Sequence, residues 1–320
     1  VPVAESSAAE LVAAARSGDR GALARLLSAV ERGGRTAHAV GRAVYPLAGS
    51  SYTIGLTGAP GAGKSTLTSA VVAAVRARGE RIAVLAIDPS SPYTGGAILG
   101  DRVRMGEHAL DDGVFIRSMA TRGHLGGLAL ATPEAARVLD AAGYPWVLIE
   151  TVGVGQVEVD VAGAADTTVV VVNPGWGDRV QANKAGLMEI ADVFVINKAD
   201  RPGADTTRRD LESMLDLTGP GDDRWRPPVV SAVSTTGDGA DAVWEAVVAH
   251  RRHLEQTGGL AERREQRLRD ELALIVEQRL RAEAMQRLEA AGRRALEDEV
   301  VAGRLDPWSA ADQVLGEAQN

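Results

Sequence analysis

The chain has no cysteine among its 320 residues, which excludes a disulfide framework and any metal site built on thiolates. Nickel or zinc handling through cysteine is excluded with them. No apolar run approaches the eighteen or so residues of a membrane-spanning helix, and the opening VPVAESSAAELVAAARSGDR has no basic region followed by an apolar one. The expectation is a cytoplasmic protein with no membrane association. Basic charge is not in excess either: the net charge is −8 and the pI about 5.3. With acids and bases interspersed, no electrostatic footprint for nucleic acid is present. Lysine is scarce in particular. Of 35 basic residues only three are lysine, Lys64, Lys184 and Lys198, so each position that keeps one invites a question.

What is present is a chain long enough, and at 45% hydrophobic apolar enough, to bury a sizeable core. Residues 6 to 44 are rich in Ala, Leu and Arg at helical spacing, with Asp19 placed to cap the segment carrying Leu23, Leu26, Leu27 and Val30. From Tyr52 the texture changes to short apolar runs between helical stretches: YTIGLT, RIAVLAI, GVFIRS, PWVLIE, TTVVVV, ADVFVIN and PPVVSAV. Strands alternating with helices predict a parallel sheet covered on both faces. After His253 the runs stop. A long charged helix follows, with Leu268, Leu272, Val276, Leu280, Ala284 and Leu288 every four residues. That stripe either packs on its own domain or forms a subunit contact; a tail projecting past a complete α/β domain favours a homodimer. The expected division is a helical extension (1–48), a nucleotide-binding domain (49–255) and a C-terminal arm (256–320), without internal repeats.

The first motif is GAPGAGKST, Gly58, Ala59, Pro60, Gly61, Ala62, Gly63, Lys64, Ser65 and Thr66, set between a predicted strand and a predicted helix. It fits the phosphate loop: glycines let backbone N–H groups wrap the phosphates, the helix N-terminus adds its dipole, Lys64 reaches the β/γ-phosphates and Ser65 ligates Mg²⁺. Carboxylates for the metal belong at the carboxyl ends of neighbouring strands, and Asp88, Asp101 and Glu150 are the candidates. Glu150 stands where many P-loop proteins have aspartate. Each acid could instead cap a helix or sit solvated in a loop. Gly153 is placed to offer a γ-phosphate its N–H, and the residue after it is Val154 rather than a water-orienting glutamine. Slow unassisted turnover is therefore expected.

The second motif is NKAD after an apolar run: Asn197, Lys198 and Asp200. A carboxylate here accepts from N1–H and the exocyclic amine of guanine, a donor pair adenine lacks. The stem of Lys198 can lie over the base, Asn197 can tie neighbouring loops together, and Ser231, Ala232 and Val233 end a later strand where backbone N–H groups can meet the guanine carbonyl. The tripeptide also occurs earlier, as Asn183-Lys184-Ala185 in GDRVQANKAG, without the aspartate. That copy cannot read guanine, and by itself Lys184 is an ordinary helix-face lysine.

Longer stretches are more specific than either motif. IDPSSPYTGGAILGDRVRM (87–105), RSMATRGHLGGLA (117–129), IETVGVGQVEVD (149–160), GDRVQANKAG (177–186) and EIADVFVINKAD (189–200) resemble the MeaB-type P-loop GTPases, the methylmalonyl-CoA mutase-associated chaperones also known as ArgK. The resemblance implies an α/β P-loop NTPase fold of SIMIBI type, a mostly parallel sheet with helical extensions at both ends. It further implies a homodimer joined by the C-terminal helices, and a Mg²⁺-dependent GTPase that serves an adenosylcobalamin-dependent acyl-CoA mutase. Cobalamin would be met only through that partner. Carried over residue by residue, Lys64 and Ser65 match the phosphate loop, Asp88, Asp101 and Glu150 the acidic set at the metal, and Asp200 the guanine reader. The stretch from Asp178 to Lys184 matches a third switch through which the mutase stimulates hydrolysis, so Lys184 becomes a candidate catalytic or interface cation beside Lys64, Asp101 and Glu150. Two other readings remain open: a nickel-insertion GTPase, disfavoured by the absent cysteines, and an ATP-dependent kinase of an arginine/ornithine transport system, disfavoured by NKAD.

Overall fold

The computed structural model describes residues 5–88, 106–108, 110–120, 125–151, 163–175, 181–217 and 225–316. They fall into two compact units, one ending at Glu265 and the other starting at Gln266.

The first unit opens with α1 (Glu5–Arg16), α2 (Arg20–Arg32) and α3 (Gly34–Val44). Asp19 caps α2 as its position predicts, its carboxylate accepting from the N–H groups of Gly21 and Ala22. This satisfies two otherwise orphaned donors and puts negative charge at the positive end of the helix. Leu23, Leu26, Leu27 and Val30 are buried in one cluster with Phe115, Met119, Val147 and Ile149 of the sheet. The N-terminal helices thus share a core with the sheet.

That sheet consists of β1 (Tyr52–Gly58), β2 (Ile82–Asp88), β3 (Val114–Ala120), β4 (Trp146–Thr151), β5 (Thr167–Val172), β6 (Val193–Asn197) and β7 (Val229–Ala232). These are the seven apolar runs of the sequence, ordered β3-β2-β4-β1-β5-β6-β7 with every pair parallel. Helices α4 (Lys64–Ala77), α5 (Leu125–Ala141), α6 (Gln181–Ile190), α7 (Ala204–Leu217) and α8 (Ala240–Thr257) cover it. The continuous valines of β5 follow from burial on both faces. Val169 and Val171 join the cluster of α4 and α8, while Val170 and Val172 join Leu187 of α6 and Leu211 of α7. Because β1 is flanked by β4 and β5, chains leaving neighbouring strands diverge there. Such a divergence opens the crevice in which α/β sheets bind ligands.

The amino ends of the strands carry a polar network. Asp166 and Asp192, directly before β5 and β6, accept two hydrogen bonds each from Arg264 and Arg263 at the start of α9 (Gly259–Ala290). Asp192 also accepts from Thr168 N–H. His250 of α8, fully buried, lies 2.8 Å through Nδ1 from Thr167 Oγ1 and 3.3 Å through Nε2 from Asp192. Burial pushes its pKa down to about 4, only partly opposed by the nearby Asp192 carboxylate.

The second unit holds the rest of α9, α10 (Arg293–Val301) and α11 (Pro307–Leu315). Along α9, Leu268, Leu272, Val276 and Leu280 are 44%, 63%, 48% and 62% exposed. Those four of the six predicted stripe residues are therefore exposed, while Ala284 and Leu288 are half-buried. Ion pairs at i,i+4 such as Glu283–Arg287 lace its charged surface.

Candidate functional site

The carboxyl ends of β1, β4, β5 and β6 bring the GAPGAGKST and NKAD motifs together. At the end of β1, Gly58 has φ 134°, and a Cβ there would collide with the carbonyl of Val171 on β5. The loop must therefore pass close to β5, which only glycine permits. It closes at Gly63, φ 90°, where a Cβ would collide with the amide of Asn197. Helix α4 then starts at Lys64 without any side-chain cap. Its first N–H groups and positive dipole end consequently face the loop, an arrangement suited to phosphate. The Lys64 ammonium, 6% exposed, donates to the carbonyls of Gly58 (2.7 Å) and Ala59 (3.1 Å).

Beside it, Glu150 on β4 is 2% exposed. Its carboxylate accepts from the hydroxyl of Ser65 at 2.6 Å and from that of Thr68 at 2.9 Å. Thr68 was not legible as a site residue, although its position one helical turn after Ser65 sets both hydroxyls on one face of α4. Asp88 closes β2, and β2 runs beside β4 with Ala86 opposite Glu150; the side chain of Asp88 is outside the described part. Asp101, Gly153 and Asp178 lie outside the described residues. Lys184 falls in α6, its side chain likewise outside them.

The NKAD loop is bound to the phosphate loop by a side chain. Asn197 Nδ2 donates to the carbonyl of Ala62 at 2.8 Å, and Asn197 Oδ1 accepts from Ser234 Oγ at 2.6 Å and Ser234 N–H at 3.2 Å. Lys198 has φ 57°, the one described non-glycine residue at positive φ, and its ammonium donates to the carbonyl of Gly61 at 2.6 Å. Ala199 N–H donates to the carbonyl of Ala232, joining NKAD to the end of β7, and the Asp200 side chain is exposed. Of the three residues expected to offer backbone donors at that end, Val233 has its N–H committed to Asp238 O at 2.8 Å. Ser231 Oγ accepts from Arg208 at 2.9 Å. Ser234 and Arg208 carry no sequence signal for these tasks, because each acts on a strand residue distant in the chain.

Residues 23–289 match the family model described as methylmalonyl-CoA mutase-associated GTPase MeaB. The chain is 49% identical to a Pyrococcus abyssi protein whose name assigns it provisionally to the GTPases, over 96% of both chains. It is 38% identical to the GTPase ArgK of Escherichia coli, over 82% of this chain and 81% of that one. The mouse mitochondrial homologue of the methylmalonic aciduria type A protein is 38% identical over 67% of this chain and 52% of its own. Among solved structures, one described as an LAO/AO transport system kinase superposes with a TM-score of 0.72 at 29% identity, covering 98% of this chain and 97% of that one.

Proposed function

The chain belongs to the MeaB family of methylmalonyl-CoA mutase-associated GTPases, and on that premise we propose that it hydrolyses GTP in a Mg²⁺-dependent way as the chaperone of an adenosylcobalamin-dependent acyl-CoA mutase. The observation that carries the nucleotide part is Asn197. Its amide bridges the carbonyl of Ala62 in the phosphate loop and the hydroxyl of Ser234 beyond β7, so one side chain holds phosphate and base subsites at a fixed spacing. In this reading the N–H groups from Gly58 to Thr66 and the Lys64 ammonium take the phosphates, Lys64 leaving the loop carbonyls it now contacts. Asp200 accepts from guanine, and the stem of Lys198 covers the base.

Hard oxygen donors suit Mg²⁺, and a buried carboxylate beside a serine hydroxyl fits that ion. Ser65 and Glu150 would hold it, with Asp88 and Asp101 completing the acidic set, and the ion would supply charge neutralisation at the β- and γ-phosphate oxygens. Gly153 offers its N–H to the γ-phosphate. The apolar stripe of α9 is read as the homodimer contact.

Coupling to the mutase is assigned to residues 178–184, with Lys184 as the cation that approaches the phosphates or the partner when the two proteins dock. Hydrolysis of GTP and ATP is to be measured side by side, alone and with candidate acyl-CoA mutases. Preference for GTP and stimulation by one mutase are expected; preference for ATP would instead favour the kinase named by the related structure. Lys184→Ala should keep basal hydrolysis within about twofold while losing about tenfold or more of the stimulated rate. An unchanged stimulated rate removes Lys184 from the mechanism.

A further inference from the structure

We infer that Thr68 is a positioning residue of the metal site, fixing the Glu150 carboxylate so that only one of its oxygens faces Ser65 and the ion. The inference rests on the Mg²⁺ reading above and goes beyond it, since Thr68 belongs to neither motif.

Three observations carry it. Thr68 is completely buried, and a threonine hydroxyl within a helix ordinarily turns back to a carbonyl of the preceding turn. Here it donates across to another element, reaching Glu150 Oε2 at 2.9 Å. The second observation is the division of the carboxylate: Oε1 accepts from Ser65 at 2.6 Å and Oε2 from Thr68. Two anchors three residues apart on α4 leave the group no freedom to rotate about its terminal bond. The third is burial. At 2% exposure water cannot readily replace a missing donor, and a buried charged oxygen left without one carries a large desolvation penalty.

Glutamate in place of the shorter aspartate then has a physical reason. The added methylene lets a carboxylate on β4 span both hydroxyls. If the Ser65 oxygen ligated an ion through a lone pair, its hydroxyl could go on donating to Oε1 while Thr68 held Oε2. Ligating side chains are commonly oriented by such outer partners, whose removal costs about 10- to 100-fold in metal affinity.

The test compares binding of a fluorescent GDP analogue in millimolar Mg²⁺ and in EDTA for the full chain, Thr68→Val and Thr68→Ser. Mn²⁺ binding to each GDP complex, read by electron paramagnetic resonance, gives the metal affinity directly. Thr68→Val should bind GDP in EDTA within about twofold of the parent, yet lose about tenfold in Mn²⁺ affinity and in the tightening that Mg²⁺ confers. Thr68→Ser, which keeps the hydroxyl, should restore both. Equal losses with and without metal would mean that Thr68 only packs, and unchanged metal affinity would mean that it does nothing for the ion; either result overturns the inference while leaving the metal reading intact. A parent protein whose GDP affinity ignores Mg²⁺ overturns the metal reading, and the inference with it. Should Thr68→Val not fold, Thr68→Ala removes the same hydroxyl with less crowding and is judged by the same outcomes.

Discussion

His250 is expected to make the stability of the sheet depend on pH between about 4 and 6.5. The side chain is fully buried on α8, and its pKa falls from 6.5 to about 4 chiefly because burial penalises the charged ring. Between those values the unfolded chain binds a proton that the folded chain refuses. Unfolding is therefore favoured as pH falls from 6.5 to 4, and below pH 4 this group adds nothing further. The full difference, two and a half units, is worth about 3.4 kcal/mol, and about 2 kcal/mol of it is lost between pH 7.5 and pH 5. Asp19 and Asp111 have pKa values lowered from 3.8 by backbone N–H donors and by Arg76 respectively. Their stabilisation is lost only at more acid pH, below this window. The assay is urea unfolding at pH 7.5 and 5, followed by tryptophan fluorescence; the ring of Trp225 lies 4.9 Å from that of His250, tilted by 46°, and reports the region. In His250→Gln, which keeps polar contacts without titrating, the pH-dependent loss should shrink by about 2 kcal/mol relative to the parent. An identical loss in both proteins would refute the reasoning.

Two further perturbations probe the core and the base subsite. Leu26 on α2 is 1% exposed and packs in the cluster that includes β3 and β4, so Leu26→Ala should lower the stability of the first unit by about 2–5 kcal/mol; calorimetry showing a loss below about 1 kcal/mol would mean that the N-terminal helices contribute little to that core. Asp200→Asn replaces a two-acceptor carboxylate by a carboxamide, and should weaken GDP at least about hundredfold while admitting xanthosine diphosphate, whose C2 carbonyl meets the new donor. Equal GDP affinity in the variant, measured by fluorescence titration, would take Asp200 out of base recognition.

The seven strands and the capped α2 were readable because a strand buried on both faces is largely continuously apolar, as Val169 to Val172 is, and because a cap is a local bond between Asp19 and its own helix. The loop GAPGAGKST was readable for a similar reason: its glycines answer a backbone requirement within a few residues. Thr68, Ser234 and Arg208 were not. Each spends its hydrogen bond on a residue from another strand or loop, and no spacing along the chain encodes that distance. Val233 shows the converse, since its place at the end of PPVVSAV suggested a ready donor whose N–H is taken by Asp238.

By itself, the sequence determined the parallel α/β sheet and the phosphate loop, because those depend on hydrophobic period and on short-range backbone geometry. Only the tertiary structure decided that Asn197 joins the phosphate loop to Ser234 beyond β7, that Glu150 is held by two hydroxyls of α4, and that His250 is buried beside Asp192. Those arrangements come from strand order, which sets side by side residues as far apart as Ala62 and Asn197, and from burial, which fixes the strength of each contact.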